Sequence, residues 1–309
     1  MPVALAFGLT LGLAACGDDD TSSAGSGVSG SVRVDGSSTV APLSTVAAEG
    51  FQEQNSGAKV TVGTSGTGGG FEKFCKGETD MNDASREIKP DEAKTCEDNG
   101  VEFSKLEVAV DAITVVVNKD NDWVTCLTTD QLKKMWEPKS AVSNWNQVDS
   151  SFPDQELKLY GPGTDSGTFD YFTDEINGEE GASRTDYNPS EDDNVTIQGV
   201  EGNKGALGYF GFSYYEENAD KLKLVQIDGG KGCVAPSKES AQDGSYTPLA
   251  RPLFVYPSVK ALSSNAAFNA FVDYYVTNDA EIASEALFIP LNDDQRAGLE
   301  AEWKRIKAS

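Results

Sequence analysis

Gly161-Pro162-Gly163-Thr164-Asp165-Ser166-Gly167-Thr168-Phe169-Asp170-Tyr171-Phe172 decides how this chain is read. Its Gly-Pro-Gly opening breaks any helix. Beyond it, Phe169, Phe172 and Ile176 recur at helical spacing and Asn177-Gly178 supplies a stop. Ser166, Gly167 and Thr168 therefore stand where a loop becomes a helix, fed by a strand over Leu157 to Tyr160. The first N–H groups of a helix lack carbonyl partners, and the helix dipole is positive at that end. Two hydroxyls and a glycine without a side chain at such a turn make a small pocket for an anion.

Two more stretches repeat this arrangement. Ser31 to Val34 alternates like a strand and runs into Asp35-Gly36-Ser37-Ser38-Thr39-Val40-Ala41-Pro42. A helix follows, with Leu43, Val46, Ala47 and Phe51 on one face and Pro42 in its first turn. An N-cap needs one hydroxyl, and this turn offers three. Ala58 to Gly63 is the next strand; Thr64-Ser65-Gly66-Thr67-Gly68-Gly69-Gly70-Phe71 follows as a loop, with Phe74 and Cys75 on a short helix. The loop lacks the Lys of a Walker A motif and does not match G-x-G-x-x-G. Its glycines let the backbone approach a ligand closely. Next, Asp80-Met81-Asn82-Asp83-Ala84-Ser85-Arg86 ends on a guanidinium, a rigid fork suited to a tetrahedral oxyanion. Together these stretches describe one oxyanion held by several hydroxyl-rich turns and Arg86.

Composition removes whole classes of function. With 25 Lys and Arg against 50 Asp and Glu, the chain of 309 residues carries a net charge of −25, which cannot neutralise a nucleic-acid backbone. It has no histidine, which excludes Ser-His-Asp and Cys-His catalysis and the commonest zinc ligand. Hydrophobic content of 38% with 31 glycines fits a globular, loop-rich protein.

Val3 to Ala15 is apolar, too short to span a bilayer, and reads as the core of a signal peptide over residues 1–15, although no Lys or Arg precedes it. Leu13-Ala14-Ala15-Cys16 is similar to a bacterial lipobox, which makes Cys16 the lipidated residue. The Asp-, Ser- and Gly-rich stretch that follows, through residue 30, has the composition of a tether. Cys75, Cys96, Cys126 and Cys233 remain, an even number that suggests disulfides in an exported protein. Three pairings are open; proximity favours Cys75–Cys96, leaving Cys126–Cys233. No C-x2-C spacing supports a zinc site.

Val108 to Asn118 is a continuous apolar run, expected as a strand buried on both faces and long enough to pass from one lobe to another. Thr128 to Trp136 reads as a helix burying Leu132, Met135 and Trp136. Gly205 to Gly211 reads as a strand or turn, Leu222 to Ile227 as a strand, and Pro252 to Tyr256 as a strand that could cross back. Ala266 to Val276 is an amphipathic helix with Phe268, Phe271, Val272 and Tyr275 inward.

The ordered set Gly36-Ser37-Ser38-Thr39-Val40-Ala41-Pro42, Ser65-Gly66-Thr67-Gly68-Gly69-Gly70-Phe71, Ala84-Ser85-Arg86 and Asp165-Ser166-Gly167-Thr168, behind a lipobox, resembles the phosphate-binding proteins of Pst-type ABC transporters, from about Val32 to Pro290. The resemblance implies a type II periplasmic-binding-protein fold, two α/β lobes joined by two hinge strands. Residues 31–112 and 250–309 would form lobe 1, and residues 113–249 lobe 2. It implies a monomer without cofactor or enzymatic activity, on the outer face of the cytoplasmic membrane or in the periplasm, that binds inorganic phosphate and delivers it to an ABC permease. By position it places Ser38 and Thr39 in a first binding loop, Ser65 or Thr67 in a second, Ser85 and Arg86 in a third, and Ser166, Gly167 and Thr168 in a fourth.

The chain departs from the family pattern in two places. An Asp that accepts the proton of hydrogen phosphate is replaced in the third loop by Ser85-Arg86, and an Arg ahead of the Ser-Gly-Thr motif is replaced near Pro162. Asp83 and Asp165 are then candidate proton acceptors, and Arg184 a candidate second cation. Binding of sulfate or molybdate is the alternative, because donors alone do not separate these anions. Asp165-Ser166-Gly167 also fits an aspartic-protease signature, but that chemistry needs two carboxylates sharing a proton and the chain has a single copy.

Overall fold

The computed structural model describes residues 27–308; the signal segment, Cys16 and most of the tether expected from sequence lie outside the described residues. The strands, in chain order, are β1 (Ser29–Gly36), β2 (Gly57–Val62), β3 (Met81–Ala84), β4 (Leu106–Asn118), β5 (Cys126–Thr128), β6 (Lys158–Gly161), β7 (Asn188–Pro189), β8 (Ala206–Gly211), β9 (Leu222–Leu224), β10 (Gln226–Asp228), β11 (Cys233–Val234) and β12 (Ala250–Pro257).

β4 organises the molecule. Its 13 residues are almost all buried, as a run of Val, Ala and Ile without alternation requires. At about 3.3 Å per residue it is long enough to serve two separate halves. Leu106 to Ala112 pairs antiparallel with β12, whereas Ile113 to Val117 pairs antiparallel with β8, and Val116 to Asn118 also meets β9. The sheet runs β2-β1-β3-β12-β4-β8-β6-β7, with β9 joined to β4. On the β12 side, β1 lies parallel to β2 and β3; on the β8 side, β6 lies parallel to β7 and β8. Each half has its own core. One gathers Val32, Leu43, Phe51, Leu253, Phe268 and Phe271; the other gathers Ile113, Leu132, Trp136, Trp145, Phe172 and Tyr209. This is the mixed α/β architecture expected; β4 pairs in both halves, whereas β12 pairs with β3 and the first half of β4.

The cysteines pair as Cys75–Cys96 and Cys126–Cys233. The second bond clamps β5 to β11 across the small sheet β11-β10-β5.

Three elements differ from the sequence reading. The glycine run after β2 is helical: the helix spans Gly66–Phe74. Glycine disfavours a helix by propensity, but at position 70 only glycine fits, because a Cβ there would lie 2.1 Å from Asn82 Oδ1 and 2.5 Å from Gly36 Cα. The helix thus rests directly on β1 and β3. The stretch Leu222 to Ile227 is two strands, since β9 pairs with β4 while β10 turns away to pair with β5. β1 begins at Ser29, inside the stretch expected as tether, because Ser29 and Gly30 already pair with Gly57 and Ala58.

Candidate functional site

Four chain turns meet where the halves face each other. At the first, Ser37 N–H donates to the Asp83 carbonyl at 2.9 Å and Thr39 N–H donates to Ser37 Oγ at 3.2 Å. The helix Ala41–Gln54 starts without a side-chain cap. The hydroxyls of Ser38 and Thr39 are therefore not spent as helix caps. Thr39 Oγ1 accepts from Arg251 at 3.1 Å, and Ser38, exposed to the cleft, has no hydrogen-bond partner among the described residues.

At the second turn, Ser65 donates to Asp35 Oδ1 from its N–H at 3.0 Å and from its hydroxyl at 2.5 Å. Burial tends to raise the Asp35 carboxyl, but hydrogen bonds from Lys73 and Ser65 outweigh it and hold it below its ordinary value. The first turn of the Gly66–Phe74 helix faces the cleft, with N–H groups unspent within the helix. Thr67 Oγ1 lies 3.1 Å from Ser85 Oγ and accepts from Ser85 N–H at 3.2 Å, which laces the second turn to the third.

Arg86 stands at the wall of the cleft with its fork already filled. Its two Nη atoms donate to the two carboxylate oxygens of Glu92 at 2.8 and 2.7 Å. That pair holds the guanidinium above its ordinary pKa and Glu92 below its own, against the upward pull of burial on the carboxyl.

At the fourth turn, Ser166 Oγ accepts from Thr168 N–H at 3.2 Å and caps the helix Gly167–Phe172. Gly167 faces the cleft and touches the first turn: a Cβ there would lie 2.5 Å from Thr39 Oγ1. Ser38, Thr39, Ser65, Thr67, Ser85, Arg86 and Gly167 thus share one cleft of about 800 Å³. Ser166 is spent as a cap, and Thr168 opens into a separate groove beside Pro42, Asp111 and Phe212.

The other candidates lie elsewhere. Asp165 is exposed on the loop, its N–H 3.4 Å from Glu191. Arg184 is buried, tied to Asp186 and to the carbonyls of Met135 and Val142, so it acts within its own half. Asp83 is sealed beneath the first turn, where Oδ1 accepts from Ser44 at 2.8 Å and Oδ2 has no partner. Burial, with a smaller push from Asp35 and against the Ser44 bond, raises its carboxyl to about 8.

Sequence reasoning missed Arg251, Tyr171 and Asp170 as residues of the cleft. Arg251 lies on β12 opposite Asp111 of β4, to which Nε donates at 3.2 Å, and its guanidinium sits 3.6 Å above the Tyr171 ring. Asp170 lines the facing wall near Asp174, Glu175 and Glu180. Burial raises the Asp170 carboxyl, Glu180 adds to the rise, and Arg251 opposes it. A signal for Arg251 was present: Asp111 is the single charged residue in the apolar run Val108 to Asn118, and Arg251 directly precedes the apolar strand Pro252 to Tyr256. Among the described residues no cluster of His, Cys, Asp and Glu is arranged to hold a metal ion.

Comparison with known proteins matches residues 21–279 to the PBP superfamily domain. Protein SphX of Synechocystis is 45% identical over 296 residues, covering 95% of this chain and 85% of that protein. The phosphate-binding protein PstS of Staphylococcus saprophyticus is 41% identical over 288 residues, covering 93% of this chain and 88% of its own. A crystal structure from Planctomyces limnophilus, described as a possible phosphate binding protein, superposes with a TM-score of 0.86 at 40% identity, over 90% of this chain and 99% of that one. The chain belongs to the PBP superfamily and, within it, to the family of PstS-type phosphate-binding proteins.

Proposed function

We propose that this protein captures inorganic phosphate in the cleft, without chemical change, and delivers it to an ABC permease. One observation carries the reading: Ser38, Thr39, Thr67, Ser85 and Gly167, drawn from four separate turns, converge on one cleft flanked by helix starts. Residues 31–112 with 250–309 act as one lobe and residues 113–249 as the other, hinged where β4 changes partners. Hydroxyls and N–H groups supply charge-assisted hydrogen bonds, each worth roughly 1.5–3 kcal/mol, and a handful offsets the dehydration of the anion. Ser65 backs the second turn through Asp35. Ser166 holds the start of the fourth helix, and Thr168 anchors that helix behind the cleft.

Asp170 accepts the proton of hydrogen phosphate. It lines the cleft, and it takes the place of the carboxylate missing from the third turn. Fully ionised sulfate has no proton to offer, so it would set two bare anions together in a poorly hydrated site. The strongly negative surface is screened over about 8–10 Å at physiological salt, so local donors govern the last step of entry. The protein works as an extracytoplasmic monomer, held to the membrane by lipid on Cys16.

Calorimetric titration of the ligand-stripped protein tests this. Tight one-to-one binding of phosphate with sulfate silent supports the reading. Equal binding of both makes the protein a general oxyanion binder, and no heat with either removes the anion site.

A further inference from the structure

The anion needs a counter-charge, and two arginines line the cleft: Arg86 and Arg251. They are not equivalent. Arg86 has both Nη atoms engaged by Glu92, and Nη1 also donates to the Glu87 carbonyl at 3.0 Å. Glu92 thus takes the whole Nη1–Nη2 edge of Arg86, the edge that would grip an oxyanion in bidentate fashion. Arg251 donates from Nε to Asp111 at 3.2 Å and from Nη2 to Thr39 Oγ1 at 3.1 Å, and Nη1 has no acceptor among the described residues. A guanidinium carries five N–H groups, so most of the donors of Arg251 remain unspent. Its side chain is only 17% exposed, and the opening it has is the cleft.

We propose that Arg251, borne on the hinge strand, is the cation that grips the bound phosphate and that it reports the state of both lobes. Three contacts fix its orientation, each from a different part of the fold. Asp111 holds it from the other hinge strand, directly across the ladder. Thr39 holds it from the first turn of lobe 1. Tyr171, on the helix that starts at Gly167 in lobe 2, stacks on its plane at 3.6 Å and is itself pinned through its hydroxyl to the Pro248 carbonyl at 2.6 Å. The planar fork suits both the stack and a tetrahedral oxyanion; an ammonium suits neither as well. An anion seated between the first and fourth turns would meet the free edge of Arg251 only while Thr39 and Tyr171 are both in place. Binding and lobe closure are thereby joined in one side chain. Asp111, Thr39 and Tyr171 act as its positioning residues.

The inference rests on the phosphate reading, and the test separates the two. Full-length protein is titrated with inorganic phosphate in the wild type and in Arg251→Lys, Arg86→Ala and the double variant Asp111→Asn/Arg251→Gln. The double variant replaces the buried ion pair by a neutral hydrogen-bonded one, so that no lone charge is left to disrupt folding, and circular dichroism with thermal melting checks the fold of each. Arg251→Lys is expected to weaken phosphate about tenfold or more and the double variant about a hundredfold, in line with loss of charge-assisted bonds at a dry site. Arg86→Ala should change affinity less than about threefold, as for a pair at a partly exposed wall. Wild-type binding with Arg251→Lys and the double variant both near wild-type affinity overturns the inference and leaves the phosphate reading standing. An Arg86→Ala loss as large as that of the double variant overturns it too. A wild type silent toward phosphate defeats both.

Discussion

Replacing Asp83 by Asn tests the account of the first turn most sharply, because the carboxyl is sealed in the protein yet never meets the ligand. Asp83 sits at the end of β3, fully buried, with its backbone carbonyl receiving Ser37 N–H and a single side-chain bond from Ser44. Burial raises its carboxyl from 3.8 to about 8. A carboxyl raised in the folded state stabilises the protein fully below its unfolded value and loses that contribution as pH rises through the folded one. The window is therefore pH 4 to 8, with stability falling toward alkaline pH. Roughly four pH units at about 1.4 kcal/mol each give on the order of 5 kcal/mol as an upper limit. Asn keeps an oxygen for Ser44 and carries no charge, but it places an amide where Oδ2 now has no partner, costing about 1–3 kcal/mol at every pH. Urea unfolding of wild type and Asp83→Asn at pH 5, 6, 7 and 8 should show the variant equal or weaker at pH 5 and stronger at pH 8. A stability difference constant to within about 0.5 kcal/mol across that range would refute the buried-carboxyl argument.

Other expectations follow from contacts already described. Gly167→Ala should lower phosphate affinity about tenfold with little change in melting temperature, because its Cβ would press within 2.5 Å of Thr39 Oγ1 and hold the lobes apart; calorimetry beside a melting curve checks both parts. Asp170→Asn should narrow the preference for phosphate over sulfate, read from paired titrations at pH 7, and an unchanged ratio would remove Asp170 as the proton acceptor. Replacing Cys126 and Cys233 by Ala should cost about 5 kcal/mol and replacing Cys75 and Cys96 about 3 kcal/mol, since the sequence separations are 107 and 21 and the longer loop loses more chain entropy; denaturant titration of the two variants gives the order. Gly70→Ala should destabilise lobe 1 by more than about 2 kcal/mol, as its Cβ meets Asn82 and Gly36 with no room to yield, and differential scanning calorimetry would show it.

Local chemistry was legible in the sequence wherever it depended on neighbours along the chain. The hydroxyls of Ser38, Thr39, Thr67 and Ser85 could be read at their turns, because a loop that precedes a helix is announced by Gly, Pro and a change of period. The apolar run of β4 likewise announced a strand buried on both faces. What escaped depended on partners far away. The Gly-rich stretch 66–70 read as loop by propensity, yet it is helical, and at position 70 Asn82 and Gly36 on neighbouring strands leave space for the helix only if no Cβ is present. Arg86 read as the ligand's cation, and only the fold shows Glu92 folding back on it from the next helix.

The hinge shows the same limit with a larger consequence. Asp111 and Arg251 stand 140 positions apart, each a lone charge beside an apolar strand, and each is hard to justify alone. A buried charge without its partner costs several kcal/mol, so two such charges of opposite sign in two strands expected to cross already imply that they meet. Antiparallel register then sets Arg251 directly across from Asp111, and the helix Gly167–Phe172 brings Tyr171 over the guanidinium. The guanidinium of Arg251 is thus held on β12 against β4, in a protein with net charge −25, rather than on any of the turns that supply the hydroxyls. On the proposal above, Arg251 stays paired with Asp111 while its contacts with Thr39 and Tyr171 depend on how the two lobes stand. That geometry lets the turns vary in sequence, as the third and fourth do here, while the counter-charge for the anion stays in place.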